Sequence, residues 1–314
     1  MPELPEVETI KENLRNVIKG KRIKKIEVRS ARAIKNTSGK KFIQELKGDT
    51  FKSLSRRGKY LIFSLKSGRS LVIHLGMTGR LIHSKTNEGI SDYNKRFSRV
   101  IFTLSDKEIL HFVDMRGFGG AYLIPKEGLK RFSRLINLGP EPLSREFTPQ
   151  AFKDSLKRHK ARIKPLLLNQ QFLAGLGNIY VSESLYRARI SPLRRTDSLS
   201  DKEVKRLHST IQKVLMGAIL SHGTSIDSYV DAKGRKGSFQ FKLRVYRREG
   251  EKCFRCARHQ SVPGCRGRIK KPSLREELCY SSASLLDRAR ERAVVIKRIK
   301  QNNRSTYFCP ECQK

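Results

Sequence analysis

The chain has 314 residues and a formal net charge of +39, from 68 Lys and Arg against 29 Asp and Glu. Cations run through its whole length, so a polyanion is the expected partner, with nucleic acid ahead of a ribosomal or polybasic membrane-surface role. No apolar run approaches the ~20 residues of a membrane span, and acids and prolines stand where a signal peptide needs cations and an apolar stretch. The expected location is therefore the cytoplasm, where six cysteines point to metal ligation rather than disulfides.

The chain opens "MPELPEVETI". Pro5 suits a first helical turn, which needs no intrahelical N–H, and Glu6 and Glu8 suit the positive end of the helix. Leu4, Val7, Ile10, Leu14 and Val17 recur at helical spacing. Helix chemistry leaves Pro2 and Glu3 without a reason.

Residues 22–125 read as strands. "KRIKKIEVRS" alternates loosely, "KYLIFSL" and "SLVIHLG" are joined by the turn "KSGR", and "RVIFTL" and "ILHFVDM" are joined by "SDKE". This predicts a β-sandwich or barrel. Proline and glycine in "NLGPEPLSREFTP" mark a linker, after which the pattern turns helical. Thr148 and Pro149 open a helix to about His159, and Ser200 with Glu203 forms a capping box before a helix to about Leu220. Between them two helices flank a Gly-Leu-Gly-Asn turn. Residues Gly223 to Gly250 read as a loop followed by a hairpin, "FKLRVYRREG".

The tail holds two C-x2-C pairs, Cys253/Cys256 and Cys309/Cys312. Four thiolates in two knuckles make a closed tetrahedral site for one structural zinc. Zinc ribbons usually separate their knuckles by about 15 to 20 residues, whereas 52 lie between Cys256 and Cys309. "AVVIKRIKQNNRSTYF" supplies a hairpin on its own, leaving residues 257–292, with His259, Cys265 and Cys279, as an insertion. Those three read as passengers of an inserted lobe, with a second metal site as the alternative.

"MPELPEVET", "RRGKYL", "IHLGMTG", "LGPEPL", "AGLGNIYVSE" and "RSTYFCPECQK" in this order resemble the formamidopyrimidine-DNA glycosylase and endonuclease VIII family, and the opening favours the first branch. The resemblance implies an α+β protein with an N-terminal β-sandwich at 1–135 and a linker at 136–150. A helix–two-turn–helix domain at 151–249 would follow, then a zinc-ribbon hairpin at 250–314. It also implies a base-excision repair enzyme, a monomer acting on duplex DNA with oxidised purines or abasic sites. The alternatives are an endonuclease VIII-type enzyme for oxidised pyrimidines and a catalytically silent damaged-DNA-binding protein.

The resemblance gives the opening a meaning. With Met1 removed, Pro2 carries a free secondary amine; an α-amino group has a reference pKa of about 7.7–8.0, so part of it is unprotonated near neutrality. By resemblance Pro2 attacks the sugar C1′, Glu3 is its acid/base partner and Glu6 lies near the lesion pocket. Lys59, by itself a member of a solvated charge run, would reach the lesion sugar; Arg56 and Arg57 remain candidates for phosphate contacts. Met77 and Phe118 read alone as core residues, but the family places a methionine, an arginine and a phenylalanine in the gap left by an everted nucleotide, matching Met77, Arg116 and Phe118. The loop "DMRGFGG" departs from the family pattern at Met115 and Gly117, which predicts a looser loop. Phe97 replaces a histidine, leaving Lys95 or Arg96 for that phosphate. Lys164, Asn178 and Arg304 match phosphate-holding residues, and Asn178 doubles as a helix cap. "GTSIDSYVDAKGRKGSFQ" matches the loop that closes over an everted purine.

Overall fold

The computed structural model describes residues 1–86, 90–259 and 294–314. Helix α1 (Leu4–Ile18) starts from Glu3, whose backbone N–H donates to the Glu6 carboxylate at 2.8 Å, with Pro5 in the first turn. Its buried stripe is Leu4, Val7, Ile10, Leu14 and Ile18. The stripe ends on Ile18 rather than Val17, a further four-residue step along the same face.

Eight strands follow: β1 (Ile23–Val28), β2 (Phe51–Arg57), β3 (Tyr60–Leu65), β4 (Ser70–His74), β5 (Arg80–Ser84), β6 (Ser98–Leu104), β7 (Ile109–Val113) and β8 (Gly120–Ile124). They form two antiparallel sheets, ordered β1-β6-β7-β5 and β2-β3-β4-β8. Leu61, Phe63, Leu71 and Ile73 share one core with Val100, Phe102, Leu110, Phe112 and the stripe of α1. The second sheet's other face, with Ile62, Val72, Tyr122 and Ile124, is covered by Leu129, Phe132 and Leu135. Burial on both faces explains why "KYLIFSL" and "SLVIHLG" are continuous apolar runs rather than alternating ones.

Two short helices interrupt the region read as strands: α2 (Gly39–Leu46) and α3 (Asp92–Phe97). Ser38 accepts from the Lys41 N–H and Ser91 from the Asn94 N–H, so both carry ordinary serine caps. A four-residue helix, α4 (Ser133–Ile136), leads into the connecting segment.

The second core is helical, built from α5 (Pro149–Lys157), α6 (Ile163–Leu168), α7 (Asn178–Ala188) and α8 (Asp201–Leu220). Thr148 caps α5 and the Ser200–Glu203 box opens α8, as their spacing predicts. Helix α9 (Phe254–His259) and the hairpin β9 (Lys297–Gln301) and β10 (Arg304–Phe308) complete the described fold. Asn302 and Asn303, both left-handed, form the hairpin's two-residue turn. The insertion, with Cys265 and Cys279, lies almost wholly outside the described residues.

Several features join the halves. Helix α1 packs against both β2 and α8. Glu141 of the connecting segment accepts from the Gly58 N–H at 2.5 Å and from Arg56 Nη1 at 3.1 Å. Arg57 donates to the carbonyls of Leu138 at 2.9 Å and Gly139 at 2.6 Å. Arg56 also reaches Glu8 at 2.7 Å. These two arginines therefore staple the interdomain segment and are not free phosphate contacts, a correction to the sequence reading.

The expected hairpin "FKLRVYRREG" does not form. The buried carboxylate of Glu183 on α7 instead accepts the N–H groups of Arg244, Val245 and Tyr246, at 2.9, 2.9 and 3.0 Å. A carboxylate that satisfies three consecutive amides removes the donors a strand ladder would need.

Candidate active site and nucleic-acid interface

The first residues of the chain are buried where the two halves meet. Met1 is exposed, Pro2 is buried, and Glu3 is 2% exposed. The Glu3 carboxylate accepts from the Ile179 N–H at 3.0 Å and the Tyr180 N–H at 3.4 Å, so it caps the N-terminus of α7. Leu4 N–H donates to the Gly175 carbonyl at 3.0 Å. This contact explains the glycines of the Gly-Leu-Gly-Asn turn: a Cβ on Gly177 would stand 2.3 Å from Glu3 Cδ, and one on Gly175 would stand 2.6 Å from Leu4 Cδ1. Gln170 holds the turn from the side, accepting from the Gly175 N–H at 2.9 Å and donating to the Leu176 carbonyl at 2.8 Å.

Glu6 faces inward. Its carboxylate accepts from the Glu3 N–H, from the Thr224 N–H at 2.8 Å and from the Tyr180 hydroxyl. Burial raises its pKa to about 7, with the nearby Glu3 charge adding to the effect. It holds the amides of Glu3 and Thr224, which line the cleft.

Lys59 sits in the β2–β3 turn and is buried rather than solvated. Burial pulls its pKa down; Arg304 pulls the same way while the Glu3 and Glu6 carboxylates oppose. Lys164 on α6 is 1% exposed and donates to the Ser305 carbonyl at 3.1 Å and Thr306 Oγ1 at 2.7 Å. Burial and the Arg304 charge bring it to about 7. Asn178 donates to the same Ser305 carbonyl at 2.9 Å, and its buried Oδ1 has no hydrogen-bond partner among the described residues. Arg304, at the start of β10, is exposed at the mouth of this cluster. Met1, Glu3, Met77, Asn178, Thr224 and Arg304 line one cleft of about 420 Å³.

Met77 and Phe118 are exposed at 41% and 56%, so neither is a core residue. Met77 belongs to the β4–β5 turn; Arg116, with its guanidinium 4.9 Å from the Phe118 ring centre, belongs to the β7–β8 loop. Buried Asp114 ties the two together. Thr78 Oγ1 donates to it at 2.5 Å, the Gly119 N–H donates at 2.6 Å, and Thr78 Oγ1 also accepts from the Arg116 N–H at 3.1 Å. A Cβ on Gly76 would stand 2.6 Å from Gly119 N, so the loops touch backbone to backbone. Gly117 is left-handed at φ 69°. Arg99 donates to the carbonyls of Asp114 at 2.7 Å and Met115 at 3.0 Å, bracing the loop that lacks the family's proline. Lys95 and Arg96 are both exposed.

Cys253, Cys256, Cys309 and Cys312 place their sulfurs within 4.8 Å of one another, with Cys253–Cys312 at 3.8 Å and Cys256–Cys309 at 3.6 Å. Zinc–sulfur bonds of about 2.3 Å in a tetrahedron require sulfurs about 3.8 Å apart, so the four fit one structural zinc. The knuckle is docked on α7: Arg255 donates to the Tyr186 carbonyl at 3.1 Å, and Gln313 donates to the Ile190 carbonyl at 2.9 Å.

Models of the formamidopyrimidine-DNA glycosylase N-terminal domain, its H2TH domain, and the zinc finger found in FPG and IleRS match residues 1–121, 138–230 and 294–314. A formamidopyrimidine-DNA glycosylase of Heliobacterium modesticaldum is 42% identical over the whole of both chains. The chain belongs to the formamidopyrimidine-DNA glycosylase family. A relative of that name from Pelotomaculum thermopropionicum is 38% identical over 100% of this chain and 99% of its own. A Lactococcus lactis FPG mutant in complex with Fapy-dG containing DNA matches with a TM-score of 0.81 at 32% identity over both whole chains. MutM bound to carbocyclic 8-oxo-G containing DNA gives 0.80 at 32% identity, again over both whole chains. Membership accounts for the N-terminal sheet domain, the H2TH domain and the zinc finger in this order.

Several residues of the site carried no readable sequence signal. Asp114, Gln170, Tyr180 and Glu183 are polar residues whose partners lie on other elements. Asp114, Tyr180 and Glu183 stood inside segments already singled out, but nothing there pointed to these side chains.

Proposed function

We propose that this member of the family is a bifunctional DNA glycosylase and abasic-site lyase that removes oxidised purines from duplex DNA. The observation that carries the proposal is that Met1 and Glu3, the two neighbours of buried Pro2, line one cleft with Arg304, while buried Lys59 feels the charges of Glu3 and Arg304.

Removal of Met1 frees the Pro2 amine. Its lone pair attacks C1′ of the damaged nucleotide, the bond from C1′ to the base breaks, and the base leaves with the bonding pair and a proton. Lys59, whose burial makes it a stronger acid than a solvated lysine, is the nearby proton donor. The Pro2 nitrogen then loses its proton, the C1′–O4′ bond breaks and O4′ takes up a proton as the sugar ring opens, leaving an iminium that acidifies C2′–H. Loss of that proton expels the 3′ phosphate, and a second elimination expels the 5′ phosphate. Glu3 cannot swing freely, because it caps α7; it acts from a fixed position beside the sugar.

The everted base occupies the cleft, while Met77, Arg116 and Phe118 enter the vacated stack from two loops that Asp114 locks together. Lys164, Asn178 and Arg304 hold the flanking phosphates. The neighbours solved with lesion-bearing DNA support this DNA path, and the segment 223–240 beside the cleft favours purines.

Borohydride trapping tests the reading. Protein with a native N-terminus is mixed with a duplex carrying one 8-oxoguanine opposite cytosine. A covalent adduct is expected, and Pro2→Gly or a retained Met1 should weaken it. An adduct with thymine glycol alone would assign the oxidised-pyrimidine branch. Tight binding without any adduct, after verified removal of Met1, would leave a silent damage-binding protein.

A further inference from the structure

Asp227 and Arg247 line the cleft, and the proposed chemistry uses neither. Arg247 Nη1 and Nη2 donate to the two oxygens of Asp227 at 2.8 and 3.0 Å, a fork-to-fork pair. The two sides of this pair differ in how firmly they are held.

Arg247 stands on rigid backbone. The three residues before it give their amides to Glu183, as described above. Arg247 itself is left-handed at φ 59°, a conformation that disfavours a non-glycine residue and persists only where surrounding structure imposes it. Asp227 stands on a short span between two anchors. On one side Thr224 is held by Glu6; on the other Tyr229 is buried in the sandwich core and donates to the Glu6 carbonyl at 3.4 Å. Ser225 is itself held, its N–H donating to Gln240 Oε1 at 3.0 Å and its Oγ accepting from the Gly237 N–H at 2.9 Å, so residues 226–228 bridge the halves along the cleft wall, with Asp227 as an exposed point along it.

We infer that Arg247 and Asp227 are positioning residues for base excision: their ion pair fixes the wall formed by residues 226–228 against which the everted base is held. The pair also masks a carboxylate that would otherwise face the phosphates of the entering strand. This inference rests on the reading of the cleft as the base pocket.

That double role gives opposite effects on binding. Asp227→Ala frees the wall, but it removes a negative charge and releases Arg247 toward DNA. Excision of 8-oxoguanine should slow by about fivefold, the upper range for an exposed pair, while DNA affinity is unchanged or tighter. Arg247→Gly also frees the wall but leaves Asp227 unmasked, so excision slows and affinity falls. Glycine adopts the left-handed conformation without strain, so this variant should unfold no earlier than wild type. Cleavage at a preformed abasic site needs no base wall and serves as the reference in both.

The measurement is the ratio of 8-oxoguanine excision to abasic-site cleavage under single turnover, with affinity and thermal unfolding alongside. A fall in that ratio in both variants, affinity shifts of opposite sign, and a double variant no worse than the singles support the inference. An unchanged ratio in either variant overturns it. Wild-type protein that excises no 8-oxoguanine would remove the base-pocket reading and the inference with it, whereas an active wild type with unchanged ratios sinks the pair alone.

Discussion

Replacing Lys164 by methionine separates the needs of the fold from those of DNA. Lys164 is almost fully buried, and its pKa falls from 10.5 to about 7. At about 1.4 kcal/mol per tenfold, holding its charge inside the protein at pH 7 costs a ceiling of about 5 kcal/mol. Its two hydrogen bonds, to Ser305 and Thr306, return about 3 kcal/mol of this. Lys164→Met, of similar length and apolar, should therefore stabilise the free protein by about 2 kcal/mol at pH 7 and below. Between pH 7 and 10.5 the unfolded state binds more protons than the native one, so wild-type stability climbs with pH and the advantage of the variant vanishes. Affinity for DNA should drop, with the salt slope shallower by about 0.9 for one lost phosphate contact. Urea unfolding followed by far-ultraviolet circular dichroism suits a chain without tryptophan, and fluorescence anisotropy of a labelled duplex reads binding. A variant less stable than wild type at pH 7 would refute the reasoning, because Lys164 would then be a net structural donor rather than a cation held ready for phosphate.

Glu6 behaves in the opposite sense with pH. Its folded pKa of about 7 lies above the ordinary carboxylate value of 4.5, so wild-type stability should fall as pH rises from about 4.5 to 7, and Glu6→Gln should flatten that slope in denaturation curves across the range. Thr78→Val removes the hydroxyl that joins Asp114 to the Arg116 amide. It should slow 8-oxoguanine excision from duplex DNA while sparing cleavage of a single-stranded abasic site, where no stack must be filled; equal losses on both substrates would contradict the wedge-bracing role. Elemental analysis should find one zinc per chain. Cys309→Ser should lose it together with DNA affinity, since Arg304 stands on the hairpin tied to that knuckle.

Much of the fold was legible because its signals are local. Thr148–Pro149 and Ser200–Glu203 set the starts of α5 and α8, and Asn302–Asn303 fits the tight turn between β9 and β10. Helices α2 and α3 were missed although Ser38 and Ser91 cap them, because each is short and set within a region dominated by strand patterns. The segment "FKLRVYRREG" misled for the opposite reason. Its alternation suits a strand, but Glu183, sixty residues earlier, takes its amides.

The candidate site divides in the same way. The family resemblance named Pro2, Glu3, Lys59, Lys164, Asn178 and Arg304, whereas the spacing of the two C-x2-C pairs named the four cysteines directly. The sequence by itself also set the cationic surface and the metal. Tertiary structure alone decided which cations are available. Arg56 and Arg57 look like DNA contacts and are interdomain staples, while Lys59 looks solvated and is buried. It also decided that Glu3 caps a helix 175 residues away and that Asp114 locks two wedge loops. Charge and donor count belong to a residue; burial, pKa and partner belong to its surroundings, and those exist only once the chain has folded.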